Sequence, residues 1–258
     1  MKHGHQTLFE ASHEDNVSCN AVHSLTEGIS RAFSLIFHLD RELLGIICLS
    51  LRVSGTALVL STLAALPLSA LLAFRKFPFK GLVISLLNTF MGLPPVVVGL
   101  FVYLLLSRSG PLGFMALLYT PTAMIIAQSI LAFPIVSSLS HSAMVSVDPL
   151  IEQAAATLGA TPRQVSWTVM GEARYGIMSG VIAAFGRVMA EVGAILIVGG
   201  NIAGFTRVMT TTIALETDKG NFELALALGI ILLMISLAIN SVLHCIQRKG
   251  LTGAQRWP

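Results

Sequence analysis

The sequence predicts an all-α membrane protein with about five transmembrane helices, and three observations carry that prediction. Hydrophobic residues make up 54% of the 258 positions and charged residues only 11%. Mean hydropathy is +0.80, above the range in which a soluble domain can hide its apolar surface. The apolar runs are also long: Val83 to Ser107 contains no Asp, Glu, Lys or Arg, and about 20 residues of helix cross a bilayer core. The length leaves room for one membrane bundle with modest loops, without a separate catalytic domain of ordinary size.

Several classes drop out on composition. The net charge of +3 is scattered, with no basic stripe of the kind that nucleic acid requires. Cys19, Cys48 and Cys245 are odd in number and unclustered, which reads as incidental thiols. No basic segment followed by a short apolar stretch and a cleavage site occurs in residues 1–42, so the first membrane helix is expected to direct insertion. Paired aspartates, His-Glu-x-x-His and Gly-x-Ser-x-Gly are all missing, so no catalytic residue is assigned.

Residues 1–42 read as an extracytoplasmic tail. Leu25, Ile29, Phe33, Ile36 and Phe37 recur at roughly helical intervals and predict an amphipathic helix on the outer surface. His3, His5, His13 and His23 have no Cys or carboxylate at ligand spacing, and no metal site is assigned. The transmembrane domain spans 43–246, with helices near 43–74, 82–106, 121–145, 177–200 and 224–245. Arg75, Lys76 and Lys80 fill the first connection, and Arg248, Lys249 and Arg256 the tail at 247–258, so both face the cytoplasm and the N-terminus lies outside. Eight Lys/Arg then fall inside and six outside. Pro67, the run Gly92-Leu93-Pro94-Pro95 and Pro134 interrupt apolar helices, as happens where helices line a pathway or pack around a kink.

The 146–176 connection carries two helix-start signals. Asp148 can cap a helix whose first residue is Pro149, Glu152 sits near its positive end, and Gly159 suits a left-handed stop. Thr161 and Gln164 form a capping-box pattern around Pro162. A tight cytoplasmic helical hairpin is expected, with Leu150, Ile151, Ala154, Ala155 and Leu158 on one face. In the fourth span, Arg187 and Glu191 lie four residues apart, which predicts one shared face at membrane depth. They read equally as a neutralising pair or as a gate. Beyond them, Asn201 and the threonines through Thr210 offer neutral hydrogen-bond donors, and no dense basic cluster accompanies them. Arg207 attracts an anion, docks an external protein, or is a solvated loop charge.

Gln153-Ala154-Ala155 with Gly159 at its set distance resembles the "EAA" loop of ABC importer permeases; Gln153 stands in place of the Glu, with Glu152 beside it. Val169-Met170-Gly171-Glu172 stands where the family has Ile-x-Leu-Pro. The run from Glu191-Val192-Gly193-Ala194 to Gly199-Gly200-Asn201, followed by Thr206-Arg207-Val208-Met209-Thr210-Thr211, is similar to the corresponding end of molybdate and sulfate permeases. With Gly92-Leu93-Pro94-Pro95-Val96-Val97-Val98-Gly99 it looks most like the tungstate type. The resemblance covers roughly residues 45 to 245.

The resemblance implies a type I ABC importer permease of the inner membrane, moving a tetrahedral oxyanion, tungstate first, with molybdate or sulfate as alternatives. It assigns Glu152, Gln153, Ala154, Ala155, Leu158 and Gly159 to a coupling helix, while the reading of the residues themselves puts Arg187, Glu191, Asn201, Thr210, Pro94 and Pro95 in the pathway or gate. It further implies a homodimer, a cytoplasmic ATPase that binds ATP and Mg²⁺, and an external substrate-binding protein. No phosphate-loop motif occurs in the sequence and no cofactor is assigned to it. The rival from another class is an ion-driven secondary transporter with Arg187 and Glu191 as its relay.

Overall fold

A computed structural model describes residues 41–254. The expected amphipathic helix in the N-terminal tail, its four histidines and Cys19 lie outside the described residues. Within them every regular element is helical, with α1 Arg41–Phe74, α2 Lys80–Met91, α3 Pro95–Leu106, a 3-10 turn at Gly113–Met115, α4 Pro121–Val145, α5 Pro149–Thr157 and α6 Pro162–Glu172. Then follow α7 Arg174–Met189, α8 Gly193–Gly199, α9 Met209–Asp218 and α10 Phe222–Ala254.

Three helices are long and apolar enough to cross a membrane by themselves: Leu43–Phe74, Pro121–Val145 and Phe222–Cys245. The count reaches five if α2 with α3, and α7 with α8, each form one span; the first pair bends by 103° and the second by 58°. The continuous helices expected over 82–106 and 177–200 are therefore both broken. In the first pair the cause is local, because Pro94 and Pro95 have no N–H to donate to the carbonyls of α2. The last amides of the run, Gly92 and Leu93, close its final turn on Thr89 O and Phe90 O at 3.1 and 3.2 Å.

The second break contains no proline. Here the carboxylate of Glu191 accepts a hydrogen bond from Ala194 N at 2.9 Å, satisfying an amide that opens α8. Meanwhile Ala190 N and Glu191 N close α7 on Gly186 O and Val188 O. Arg187 thus belongs to α7 and Glu191 to the break, and the spacing of four residues does not put them on one helical face.

The bundle is organised around α4, which packs on α1, α2, α3, α7 and α8. Ser61 Oγ donates to Ser129 O at 3.0 Å, and Ser69 Oγ to Ser137 O at 2.9 Å. Both pairs advance by the same step along each helix, so α1 and α4 run parallel, as the first and third spans of an alternating bundle must. Small residues allow the other contacts: a Cβ on Gly176 would lie 2.5 Å from Ala143 Cβ, and one on Gly180 would lie 2.9 Å from Leu139 Cβ. The main core gathers Val98, Val102, Met124, Ala127, Leu131, Ile195 and Val198 from α3, α4 and α8.

Candidate functional site

The hairpin predicted in the 146–176 connection forms with the capping read from the sequence. Asp148 Oδ1 accepts from Leu150 N at 2.9 Å, and Pro149 opens α5. The helix ends in a Schellman arrangement, with Gly159 N on Ala156 O at 3.0 Å and Ala160 N on Ala155 O at 3.1 Å. Gly159 takes φ +84°, a left-handed conformation that side chains rarely adopt. The capping box of α6 is reciprocal, with Thr161 N on Gln164 Oε1 at 2.7 Å and Gln164 N on Thr161 Oγ1 at 3.5 Å.

Glu152, Gln153, Ala154, Leu158 and Gly159 are exposed and Ala155 is half-buried. Leu158 is 88% exposed, Leu150 66% and Trp167 on α6 73%. The hairpin thus leaves three large apolar side chains exposed on a doubly capped frame.

The second set of predicted residues meets where the two breaks face each other. A Cβ on Gly99 would lie 2.7 Å from Ala194 Cα, and one on Gly193 would lie 2.9 Å from Val96 Cγ2, so α3 and α8 touch almost backbone to backbone. Arg187 is exposed, with Nη2 3.5 Å from the carbonyl of Leu93, one residue before Pro94 and Pro95. Glu191 is buried; besides its bond to Ala194 N, its carbonyl accepts from Thr210 Oγ1 at 2.8 Å. No ion pair joins Arg187 to Glu191. Asn201, at φ +50°, donates from Nδ2 to Thr211 O at 3.4 Å, which ties the end of α8 to the start of α9.

Sequence reading took 201–223 as an outward connection and did not find α9. Its first turn is buried: Thr210, Thr211 and Thr212 are all below a tenth exposed. Met209 N donates to Ser50 Oγ on α1 at 2.9 Å, and Thr206 Oγ1 donates to Gly199 O at 2.6 Å. Ser50, Ser54, Gln128 and Thr210 line a small cavity of about 10 Å³, room for about one water. Gln128 Oε1 is fully buried there without a protein partner, and Gln128 Nε2 donates to Val188 O at 3.2 Å. Ser50 and Arg52 were not singled out in the sequence, and Gln128 was noted only as part of the resemblance. A single polar side chain inside thirty apolar residues gives almost no periodic signal, although its rarity at membrane depth is itself a signal.

The two ends of α1 mark the two ends of the molecule. Arg41, Gly45 and Arg52 share a groove with Gly204, Phe205 and Arg207, whereas Leu63, Pro67, Phe74 and Arg75 share one with Glu152, Arg163 and Trp167. The hairpin and the 204–207 turn therefore sit at opposite ends of a helix of 34 residues, about 50 Å long.

A bundle of crossing and broken helices, with an exposed capped hairpin at one end, defines a membrane transport component. A family model described as a binding-protein-dependent transport system inner membrane component matches residues 65–249, and the chain belongs to this family. It is 43% identical over 225 residues to the tungstate uptake system permease protein TupB of Peptoclostridium acidaminophilum, covering 87% of this chain and 99% of that protein. A probable anion ABC transporter permease protein of Haloferax volcanii is 48% identical over 205 residues, covering 78% of this chain and 88% of the relative. The molybdenum transport system permease protein ModB of Escherichia coli is 33% identical over 218 residues, covering 79% and 94%. Among solved structures, a bacterial ABC transporter involved in import of the acidic polysaccharide alginate superposes with a TM-score of 0.72 at 17% identity, covering 95% of this chain and 96% of that one. The fold is that of a type I ABC importer permease, and the chain is an inner-membrane component of such a system.

Proposed function

We propose that two copies of this chain form the membrane channel of an ATP-driven importer that carries a tetrahedral oxyanion, tungstate in the first place. The observation that carries the cargo is the 43% identity to a tungstate uptake permease over 99% of that protein's length. The 33% identity to a molybdenum permease makes molybdate the competitor to test beside it. ATP and Mg²⁺ are bound by a separate cytoplasmic ATPase, since this sequence has no phosphate loop. An external binding protein delivers the anion and supplies most of the selectivity.

In this reading the N-terminus lies outside and the hairpin end faces the cytoplasm, following the basic residues Arg75, Lys76 and Lys80. Glu152, Gln153, Ala154, Ala155, Leu158 and Gly159 seat α5 in the ATPase. Pro94 and Pro95 form one hinge and Glu191 the other, while Arg187, Asn201 and Thr210 serve the passage or its gate. Arg187 reaches the Leu93 carbonyl across the two breaks, so movement of either span alters both. The rival, an ion-driven transporter with Arg187 and Glu191 as its relay, predicts uptake that survives ATP depletion and collapses with the ion gradient.

The test is co-expression with the candidate ATPase and binding protein, followed by tungstate uptake into proteoliposomes. Gly159→Arg meets no neighbour within 4 Å but must hold a left-handed φ, so it should insert normally yet lose the ATPase and ATP-dependent uptake. Uptake that persists without ATP would refute the importer. Uptake of molybdate in preference to tungstate would reassign the cargo.

A further inference from the structure

At the end of the bundle opposite the hairpin, a groove of about 490 Å³ is lined by Arg41, Cys48 and Arg52 on α1 and by Gly204, Phe205 and Arg207 on the turn before α9. Arg41 and Arg52 are eleven residues apart, about three helical turns, so they share one face of α1 and sit roughly 16 Å apart along its axis. Arg207 stands on the facing wall. Among the described residues no carboxylate lines this groove. Arg207 acts electrostatically on Glu216, whose two oxygens are already taken by Lys219 Nζ at 2.8 Å and Asn221 Nδ2 at 3.0 Å.

Three further features mark the groove as built to hold something. Arg207 Nε is fully buried and has no hydrogen-bond partner, an arrangement that a folded chain normally avoids. Its backbone is fixed: Arg207 N donates to Ile202 O at 3.0 Å, and Thr206 Oγ1 both accepts from Ile202 N at 2.9 Å and donates to Gly199 O at 2.6 Å. The turn that carries Arg207 is thus held in place before any ligand arrives. Arg52, several turns into a span, is a costly position for a guanidinium unless water or an anion reaches it.

We infer that this groove is an oxyanion site at the outer mouth of each chain, taking a tetrahedral dianion such as tungstate by Arg207 and passing it along the Arg41–Arg52 wall. Calling this end the outer mouth rests on the orientation proposed above. Guanidinium groups match tetrahedral oxygens with paired N–H donors, and their spread along the groove suits transfer better than tight capture. A phospholipid headgroup presents the same oxygen chemistry, so the experiment separates the two sources.

The full-length chain is placed in nanodiscs of zwitterionic phosphatidylcholine, and Cys48 is alkylated with a maleimide with and without sodium tungstate at matched ionic strength. Cys48 is an exposed thiol inside the groove and Cys245 an exposed thiol outside it, so peptide-resolved labelling gives an internal control. The expected result is that tungstate slows labelling of Cys48 but not of Cys245, with sodium chloride ineffective. In Arg207→Gln and Arg52→Gln the concentration needed for protection should rise at least about tenfold, and Lys at either position should restore part of it.

Equal labelling with and without tungstate in the unchanged protein overturns the inference without depending on any variant. So does protection that appears only when anionic phosphatidylglycerol replaces phosphatidylcholine, which would assign the groove to a headgroup. Uptake through the assembled transporter is read separately. Intact tungstate uptake without Cys48 protection sinks the groove and leaves the importer, whereas protection without ATP-driven uptake keeps the groove and sinks the importer.

Discussion

Replacing Gly99 by alanine tests how the two bent spans are locked together. The added Cβ would lie 2.7 Å from Ala194 Cα, 3.2 Å from Ala194 O and 3.3 Å from Ile197 Cδ1. Ordinary carbon contacts settle at about 3.5–4.0 Å, so α3 and α8 must part by roughly 1 Å. The first two neighbours are backbone atoms, which no change of rotamer can withdraw. Overpacking of this kind costs about 1–3 kcal/mol. For a chain of this length that corresponds to a melting midpoint lowered by about 2–4 °C per kcal/mol. The assay is thermal unfolding in mild detergent followed by far-ultraviolet circular dichroism. Ala194→Gly should not rescue the variant, because the clash is with Cα and the carbonyl rather than with the methyl group. Gly171→Ala on α6 is the control: nothing lies within 4 Å of its Cβ position, and the helix should gain about 0.5–1 kcal/mol. An unchanged midpoint for Gly99→Ala, or rescue by Ala194→Gly, would show that the two spans do not meet backbone to backbone.

Glu191→Gln keeps an acceptor for Ala194 N and should melt close to the unchanged protein, whereas Glu191→Ala strands a buried amide and should lose about 1–3 kcal/mol; equal melting of the two would remove Glu191 as the cap of α8. If Glu191→Gln folds normally but transports poorly, its charge serves the passage as well as the hinge. Thr161→Ala breaks the capping box of α6 and should cost about 1 kcal/mol, visible as faster amide exchange confined to the first turn, Arg163–Val165. The Lys219 hydrogen bond first of all holds the Glu216 carboxyl below its ordinary value of 4.5; burial opposes it, and the Asn221 hydrogen bond and the charges of Lys219 and Arg207 add to the lowering. Its contribution to stability is therefore complete above about pH 4.5 and is lost as pH falls through the depressed folded value. Glu216→Gln should flatten that acid limb of the melting curve, and an unaltered limb would place the titration elsewhere.

The first, third and fifth spans were legible because a long apolar run has no other stable form in a bilayer, and the structure begins or ends each within a few residues of the reading except at Ala254, where α10 runs on past the apolar run. The hairpin was legible for a different reason, since Asp148, Gly159, Thr161 and Gln164 act through contacts only two to four residues away. The two breaks were not read as breaks. Pro94 and Pro95 announced a kink, but a bend of 103° depends on what packs against both arms. At Glu191 the decisive event is a carboxylate accepting its own downstream amide, in a sequence whose i, i+4 spacing looks unbroken. α9 escaped because its N-cap, Val208, carries no capping side chain and its threonines spread polarity around the helix. Arg207 was singled out in the sequence, but its partners Arg41 and Arg52 escaped because the three are brought together only by the tertiary fold.

The serine pairs between α1 and α4 have a mechanical corollary. Ser61–Ser129 and Ser69–Ser137 repeat at the same interval on both helices and act like two teeth of a gear. Sliding one helix along the other by a single turn would disengage both teeth at once, with no intermediate position in which one of them still meshes. α1 and α4 are therefore expected to travel as a single beam, which in the proposed transport cycle leaves the breaks at Leu93 and Glu191 as the joints where bending is absorbed.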